Sequence, residues 1–225
     1  MLNGLNSFKE LDNHRKEQVI KYFNSSDQSF NGKFSTGSFL SDIDKFDYNF
    51  FKITPREANL MDPSQRLFMQ TAYHALEDAG YSGDNIKGTL TGIYLGYATF
   101  VQGNYGKMIY DVDSSELANG MVGNIPSLIP SRISYALNLK GPAITLDTAC
   151  SSSLVALHTA CEGIRNGDCN MAIVGGLRLN MLPIENDNLS IGVESSDGMT
   201  RAFDETSDGA GVGEGVGVVI LKPLS

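Results

Sequence analysis

The sequence predicts an α/β fold with a largely buried sheet. Short apolar runs typical of strands alternate with segments whose apolar residues recur at helical spacing. The order strand, helix, strand is clearest over residues 142–179, where PAITLDT, SSSLVALHTACEGIRNG and NMAIVGGLRL follow one another. This alternation is typical of parallel strands joined by helices. No repeat, linker or low-complexity tract divides the 225 residues, so we expect a single segment, 1–225.

The first 50 residues predict a short helix followed by a loop. Charged and apolar residues recur at helical spacing in ELDNHRKEQVIKYF. Turn-forming residues dominate the following NSSDQSFNGKFSTGS, which therefore predicts a loop.

The most distinct helix is predicted in MDPSQRLFMQTAYHALEDAGY. Asp62 is a favourable N-cap, Pro63 suits the first helical position, and Gln65 has the spacing of a capping box. Gly80 is a suitable C-terminal stop. The apolar residues at helical spacing are Leu67, Phe68, Ala72, Ala75, Leu76 and Ala79.

The remaining elements alternate along the chain. TGIYLGYAT, residues 91–99, predicts a buried strand, and GVGEGVGVVILK, residues 211–222, predicts a glycine-rich strand. Residues 114–138 have a helical pattern that two prolines interrupt. Pro126 can open a helix, and Pro130 would then fall near its first turn.

The segment SSSLVALHTACEGIRNG predicts a helix that ends at Gly167. Its expected apolar face carries Leu154, Leu157, Cys161 and Ile164. We interpret Cys161 on this face, and Cys169 at the entry to the next strand, as structural thiols.

Composition excludes several functional classes. The net charge of −9 and the pI near 4.7 argue against a nucleic-acid-binding domain. Three cysteines without a histidine at ligand spacing form neither a disulfide framework nor a zinc pattern, so we expect no metal. There is no apolar run of transmembrane length and no apolar signal core, so we expect a cytoplasmic protein without membrane contact.

Cys150 has two interpretations. It follows the strand PAITLDT and precedes a helix, so its thiol would project from a turn that a substrate can reach. The unpaired first-turn amides, those of Cys150 and Ser151, favour a thiolate and can stabilise an oxyanion. Small neighbours, Ala149 and Ser151 to Ser153, leave room for a bound group and cap the helix. The alternative is a small buried structural thiol.

Several long motifs occur in a fixed order along the chain. They are FLSDIDKFDYNFFKITPREANLMDPSQRLFMQTAYHALEDAGY, NIPSLIPSRISYALNLKGPAITLDTACSSS, DTACSSSLVALHTAC and DGMTRAFDETSDGAGVGEGVGVVILK. Together they closely resemble the ketosynthase (β-ketoacyl synthase) domains of modular polyketide synthases, and the likeness covers nearly the whole chain. The resemblance implies the thiolase-like fold, layered α-β-α-β-α, represented here by roughly its first half.

The resemblance also implies a reaction. Cys150 matches the acyl-accepting cysteine, which takes an acyl chain from the phosphopantetheine of an acyl carrier protein and condenses it with a decarboxylated malonyl-type extender. The phosphopantetheine belongs to the carrier, so the domain binds no cofactor or metal of its own. The family implies other polyketide synthase domains as partners and a homodimer. A non-elongating domain that only transfers acyl chains, a condensing-fold homologue with other chemistry, and a dimer scaffold remain alternatives.

The chain departs from the family pattern in three places. No segment matches the opening strand with its Gly-Met-x-Gly-Arg-Phe-Pro-like motif, and neither of the two catalytic histidine motifs is found. We therefore expect an N-terminal part that lacks the first strand and the C-terminal half, and that does not complete condensation alone. Leu189 stands where the family often has a phenylalanine, so we expect Leu189 and Ala149 to line an acyl pocket.

The other motifs predict structural roles. GVGEGVGV lacks the spacing of a nucleotide-binding loop and more closely fits a tightly packed strand. Asp204 and Glu214 predict structural hydrogen bonds, and Arg132 predicts support of the dimer or core region. The histidines match no catalytic position of the family; they are His14, His74 and His158.

Overall fold

A four-stranded sheet lies between helices in the computed structural model, which describes residues 6–81, 83–98, 104–185 and 192–224. The α-helices are α1 (Asn13–Ser25), α2 (Pro55–Leu60), α3 (Pro63–Asp78), α4 (Tyr105–Val112), α5 (Leu117–Gly120), α6 (Leu128–Ala136) and α7 (Ser152–Arg165). The strands are β1 (Gly37–Ser38), β2 (Thr91–Gly96), β3 (Ala143–Leu146), β4 (Met171–Arg178), β5 (Val212–Gly213) and β6 (Gly215–Leu221). The predicted α/β class is confirmed.

The central sheet has the order β3-β2-β4-β6. Strands β3, β2 and β4 are parallel, and β6 runs antiparallel to β4. The carboxyl ends of the parallel strands therefore meet at one edge, where Gly96 lies opposite Leu146 on one side and Gly176 on the other. Strands β1 and β5 form a separate parallel pair.

Alternate side chains of the strands enter two apolar clusters on opposite faces of the sheet. On one face, Ile93, Leu95 and Ile173 pack with residues of α3 and α6, including the fully buried Phe68. On the other face, Tyr94 and Val174 pack with buried alanines of α7. Helix α7 is therefore the layer that covers this face of the sheet, and the Cys150 region directly precedes it.

Helix α3 confirms most of the capping predicted from sequence. Asp62 Oδ1 accepts the Ser64 N–H at 2.7 Å, and Gly80 adopts φ +79°, which ends the helix. The capping box is wrong. Gln65 is buried, and its Nε2 instead donates at 3.3 Å to Ile125 O, a carbonyl of a neighbouring segment.

Several predicted boundaries also differ. The strand predicted over 91–99 ends at Gly96, and residue 99 lies outside the described residues. Residues 114–138 form short 3₁₀ and α turns, and the regular helix α6 begins only at Leu128, with Pro130 in its first turn. The predicted strand 211–222 is divided at Glu214. Sequence analysis did not predict α2 or α4.

The apolar face predicted for α7 is partly wrong. Leu154 is 70% exposed, whereas the residues of α7 that bury against the sheet are Ala156, Ala160 and Gly163. Small residues face the sheet because Tyr94 occupies that layer, and a Cβ on Gly163 would meet the Tyr94 hydroxyl. Close packing of the helix thus selects small side chains rather than the largest apolar ones.

A buried ion pair fastens α1 to the distant end of the chain. Arg15 and Glu214 have side chains only 2% and 0% exposed, and both guanidinium Nη atoms lie 3.1 Å from the carboxylate. Glu214 also accepts the amides of Leu40 and Asn180, each at 2.9 Å. Four donors thus neutralise and solvate one buried carboxylate.

Candidate active site

Cys150 lies exposed in the sharp turn between β3 and α7. The strand ends at Leu146, a 3₁₀ turn covers Ala149–Ser151, and α7 starts at the next residue. Ala149 has φ +54°, a left-handed conformation that costs a non-glycine residue about 1–2 kcal/mol. The exposed thiol therefore follows directly on a strained residue, and the buried structural interpretation of Cys150 is wrong.

Hydrogen bonds within residues 147–152 hold the strained turn. Ser152 Oγ accepts the Thr148 N–H at 2.9 Å and donates to Ala149 O at 2.7 Å. The Ala149 N–H donates to Asp147 Oδ1 at 3.0 Å, and Ser151 Oγ donates to Thr148 O at 2.8 Å. The predicted helix capping by these serine side chains is wrong, because their hydroxyls bond the turn before the helix.

Two glycines let the start of α7 rest directly on the sheet. Gly96 ends β2, and a Cβ there would lie 2.6 Å from Ser152 O. Its register partner Gly176 would place a Cβ 2.8 Å from Ser153 Cβ. Any side chain at these positions would push the helix away, so β2 and β4 determine how closely the turn approaches the carboxyl edge.

The two amides predicted as oxyanion donors differ in their surroundings. The Ser151 N–H donates to Thr148 O at a long 3.3 Å, within the 3₁₀ turn. For the Cys150 N–H we find no acceptor among the residues that the structure describes. The oxyanion role of both amides stays a prediction.

The other predicted site residues lie apart from one another. Ala149 is exposed beside Cys150, whereas Leu189 lies outside the described residues, so the acyl pocket stays a prediction. Cys161 is half-buried, and Cys169 is buried with its Sγ 3.8 Å from the Tyr94 hydroxyl. Both positions are those of the structural thiols predicted from sequence.

The three histidines of the chain are exposed. His74 lies on α3, which covers the sheet face opposite α7, and His158 lies on α7 about 12 Å beyond Cys150 along the helix. His14 on α1 is 3.0 Å from Asp44 Oδ2. His74 and His158 are therefore not placed to exchange a proton with the Cys150 thiol.

A polar cluster that sequence analysis missed lies at the same carboxyl edge, on the α3 face. Tyr97 follows β2 directly, and its N–H donates to Leu146 O at 3.0 Å. Burial and the nearby Asp62 carboxylate raise the pKa of Tyr97 to about 12. Burial also raises the pKa of Asp62 and lowers that of Arg66, although the two charges attract. The sequence did contain a signal for this cluster, because Asp62 and Arg66 are opposite charges one helical turn apart.

Three charged residues that were predicted to be structural form hydrogen bonds within the protein. Asp204 accepts the Thr206 N–H at 2.9 Å within a surface turn, and Glu214 binds Arg15 as described above. Arg132 donates from Nη1 to Glu57 Oε1 at 2.7 Å and thus joins α6 to α2.

The described residues contain neither a clustered metal-ligand set nor a membrane-spanning helix. In the described ranges, no group of three or more His, Cys, Asp or Glu side chains is arranged so that it could hold a metal ion. Within the same ranges, every helix is too short or too polar to cross a bilayer.

Comparison with known sequences relates the chain to one family. The family model described as "Beta-ketoacyl synthase, N-terminal domain" matches residues 1–225. Polyketide synthase PksM of Bacillus subtilis is 45% identical over 190 residues, which are 84% of this chain and 4% of that protein. The 6-methylsalicylic acid synthase of Aspergillus niger is 47% identical over 189 residues, again 84% of this chain and 10% of that protein.

Solved structures agree with the sequence relatives. The ketosynthase from module 6 of the bacillaene synthase of Bacillus subtilis superposes with a TM-score of 0.79 at 37% identity, covering 99% of this chain and 36% of that one. The oxazolomycin ketosynthase domain of Streptomyces albus gives a TM-score of 0.77 at 33% identity, covering 98% and 38%. The predicted thiolase-like fold is confirmed, and the chain spans little more than a third of these ketosynthases.

Proposed function

Because the chain belongs to the β-ketoacyl synthase family, in which its relatives are polyketide synthases, we propose that Cys150 accepts an acyl chain as a thioester. The observation that supports this most directly is the position of the thiol. Cys150 is exposed in the 3₁₀ turn just before α7, directly after a strained residue at the carboxyl edge of the parallel strands. A covalent acyl carrier needs such an accessible nucleophile.

The proposed acyl transfer proceeds through a thioester exchange at Cys150. The Cys150 sulfur attacks the thioester carbonyl of an acyl chain carried on the phosphopantetheine of an acyl carrier protein. A tetrahedral oxyanion forms, for which the amide of Cys150 is the first candidate donor. The C–S bond to phosphopantetheine then breaks, and the thiol leaves on the carrier with a proton. The acyl group remains on Cys150 as a new thioester.

Condensation would complete the reaction of the family. A malonyl-type extender on a carrier protein loses CO2, and its carbanion attacks the acyl-Cys150 carbonyl. The new C–C bond gives a β-ketoacyl chain on the carrier and releases the Cys150 thiol. His74 and His158 lie away from Cys150, and His14 pairs with Asp44, so we assign the chain the acyl-accepting step. The groups for decarboxylation would have to come from other parts of a ketosynthase.

The acyl-accepting step is tested by intact-mass spectrometry. The longest native polypeptide containing this chain is incubated with an acyl-loaded carrier protein, and the mass increase is mapped to a peptide. We expect one acyl adduct on Cys150, lost in Cys150→Ala. The matched control is Cys161→Ala on α7, the helix that follows Cys150, and this variant should retain the adduct. An adduct that persists in Cys150→Ala contradicts the proposal.

A transfer-only domain is the second candidate, because it needs no histidine at the nucleophile. Release of CO2 from a malonyl-loaded carrier distinguishes the two functions. An acylated protein that releases no CO2 above background would be a transfer domain, whereas stoichiometric CO2 and a β-ketoacyl product would establish condensation.

We also propose the acyl carrier protein, other polyketide synthase domains and a second copy of the chain as partners. Strand β3 lies at the edge of the described sheet, and Tyr135 of the adjacent α6 is 90% exposed. Both features suit a contact between copies along this edge. Light scattering after size exclusion tests the dimer, and Tyr135→Asp should shift the mass toward the monomer.

A further inference from the structure

We propose that Ser152 is a positioning residue for Cys150, because its hydroxyl fixes the turn from which the thiol projects. The inference rests on the proposed function only in that Cys150 is taken as the reactive group. Ser152 itself is 5% exposed and offers its hydroxyl to the protein rather than to a substrate.

The two hydrogen bonds of Ser152 bracket the strained residue. The hydroxyl accepts from the amide of Thr148, before Ala149, and donates to the carbonyl of Ala149 itself. The peptide groups that contain this N–H and this carbonyl lie at either end of the Thr148–Ala149 pair, so the hydroxyl fixes the combined backbone rotations of both residues. A relaxed turn would return Ala149 to a right-handed or extended conformation and rotate the following peptide, which carries the Cys150 N–H.

The sheet prevents Ser152 from following such a relaxation. Its carbonyl oxygen lies only 2.6 Å from where a Cβ on Gly96 would stand, and Ser153 Cβ lies 2.8 Å from the position of a Cβ on Gly176. The carboxyl-terminal parts of β2 and β4 therefore support the start of α7. The rigid sheet fixes Ser152, Ser152 fixes the Ala149 peptide, and that peptide orients Cys150.

Loss of the hydroxyl should consequently change reactivity more than stability. Ser152→Ala removes only two hydrogen bonds, so the protein should still fold. The relaxed turn would misplace the thiol and the Cys150 amide, and a displacement of about 1 Å can cost on the order of 100-fold in rate. We expect at least a ~10-fold loss in Cys150 reactivity.

The test is the rate of Cys150 alkylation by iodoacetamide across pH 6–10, followed by peptide mapping, in the longest native polypeptide. The wild type, Ser152→Ala and the neighbouring exposed Ser153→Gly are compared, with thermal unfolding measured in parallel. We expect a slower reaction and an altered pH profile in Ser152→Ala alone. Equal rates and profiles in all three proteins would overturn the proposal.

A second perturbation reaches the same turn from the sheet. Gly176→Ala should push on Ser153 Cβ and slow alkylation, and adding Ser153→Gly should restore the rate by removing that contact. Failure of this rescue, with the double variant folded, also counts against the proposal. Alkylation needs no carrier protein, so absence of an acyl adduct on wild-type Cys150 would refute the proposed function without affecting this test.

Discussion

The buried carboxylate of Glu214 provides the largest perturbation that the structure allows outside the candidate site. Glu214→Gln keeps the shape of the side chain but removes its charge and replaces one acceptor oxygen by an amino group. The remaining oxygen cannot serve all four donors that now surround the carboxylate, two from Arg15 and the amides of Leu40 and Asn180. The Arg15 charge would stay buried without its partner.

The cost can be estimated from these contacts. Removing one partner of a buried ion pair costs about 3–5 kcal/mol. Leaving one backbone N–H without an acceptor adds about 1–3 kcal/mol. This cost is smaller if the glutamine oxygen still accepts a hydrogen bond from that N–H. We therefore expect Glu214→Gln to lower the free energy of unfolding by at least ~3 kcal/mol, a large share of the about 5–15 kcal/mol typical of a domain.

The assay is equilibrium unfolding in urea, with Arg15→Met and the double variant completing a cycle. Each single variant leaves one buried charge without its partner, whereas the double variant removes both charges. The loss in the double variant should therefore be smaller than the sum of the two single losses by ~2 kcal/mol or more. A loss below ~1 kcal/mol in Glu214→Gln, or strictly additive losses, would refute the reasoning that this pair fastens α1 to the junction between β5 and β6.

Two further predictions concern the carboxyl edge of the sheet. Asp62→Asn keeps an N-cap side chain but removes a carboxylate whose pKa burial raises in the folded state. The stability that this raised pKa contributes is present below the unfolded pKa of about 3.9 and is lost as pH rises through the folded value. The variant should therefore be more stable than wild type at pH 7 and equal to it near pH 3 in thermal unfolding; lower stability at pH 7 would show that attraction to Arg66 dominates. Gly96→Ala should cost about 1–3 kcal/mol in urea unfolding because its Cβ meets the backbone of Ser152, whereas Gly217→Ala, with open space around its Cβ, should cost less than ~1 kcal/mol. Equal losses in the two variants would contradict the close approach of α7.

Local chemistry explains which elements the sequence predicted well. The N-cap Asp62, the glycine stop at Gly80 and the apolar strand runs act over a few residues, so α3, β2 and β4 could be identified without neighbours. The position of Cys150 between a strand and a helix has the same local origin. The long motifs then indicated the family, which the comparisons confirmed.

Tertiary packing decided the features that sequence periodicity got wrong. Leu154 has helical spacing with Leu157, yet it is exposed because small residues are the ones that fit α7 against Tyr94. Gln65 has the spacing of a capping box, but a nearby carbonyl takes its donor. In each case a residue distant in sequence changed which partner was available.

The sequence by itself determined the α/β class, the family and the cysteine at a strand–helix junction, because these depend on composition, local spacing and motif order. Only the tertiary structure decided that the turn before Cys150 is strained, that Ser152 holds it, and that Gly96 and Gly176 set its height above the sheet. The physical reason is distance along the chain. Residues 96, 152 and 176 meet only after three parallel strands align, so no local pattern records their contact.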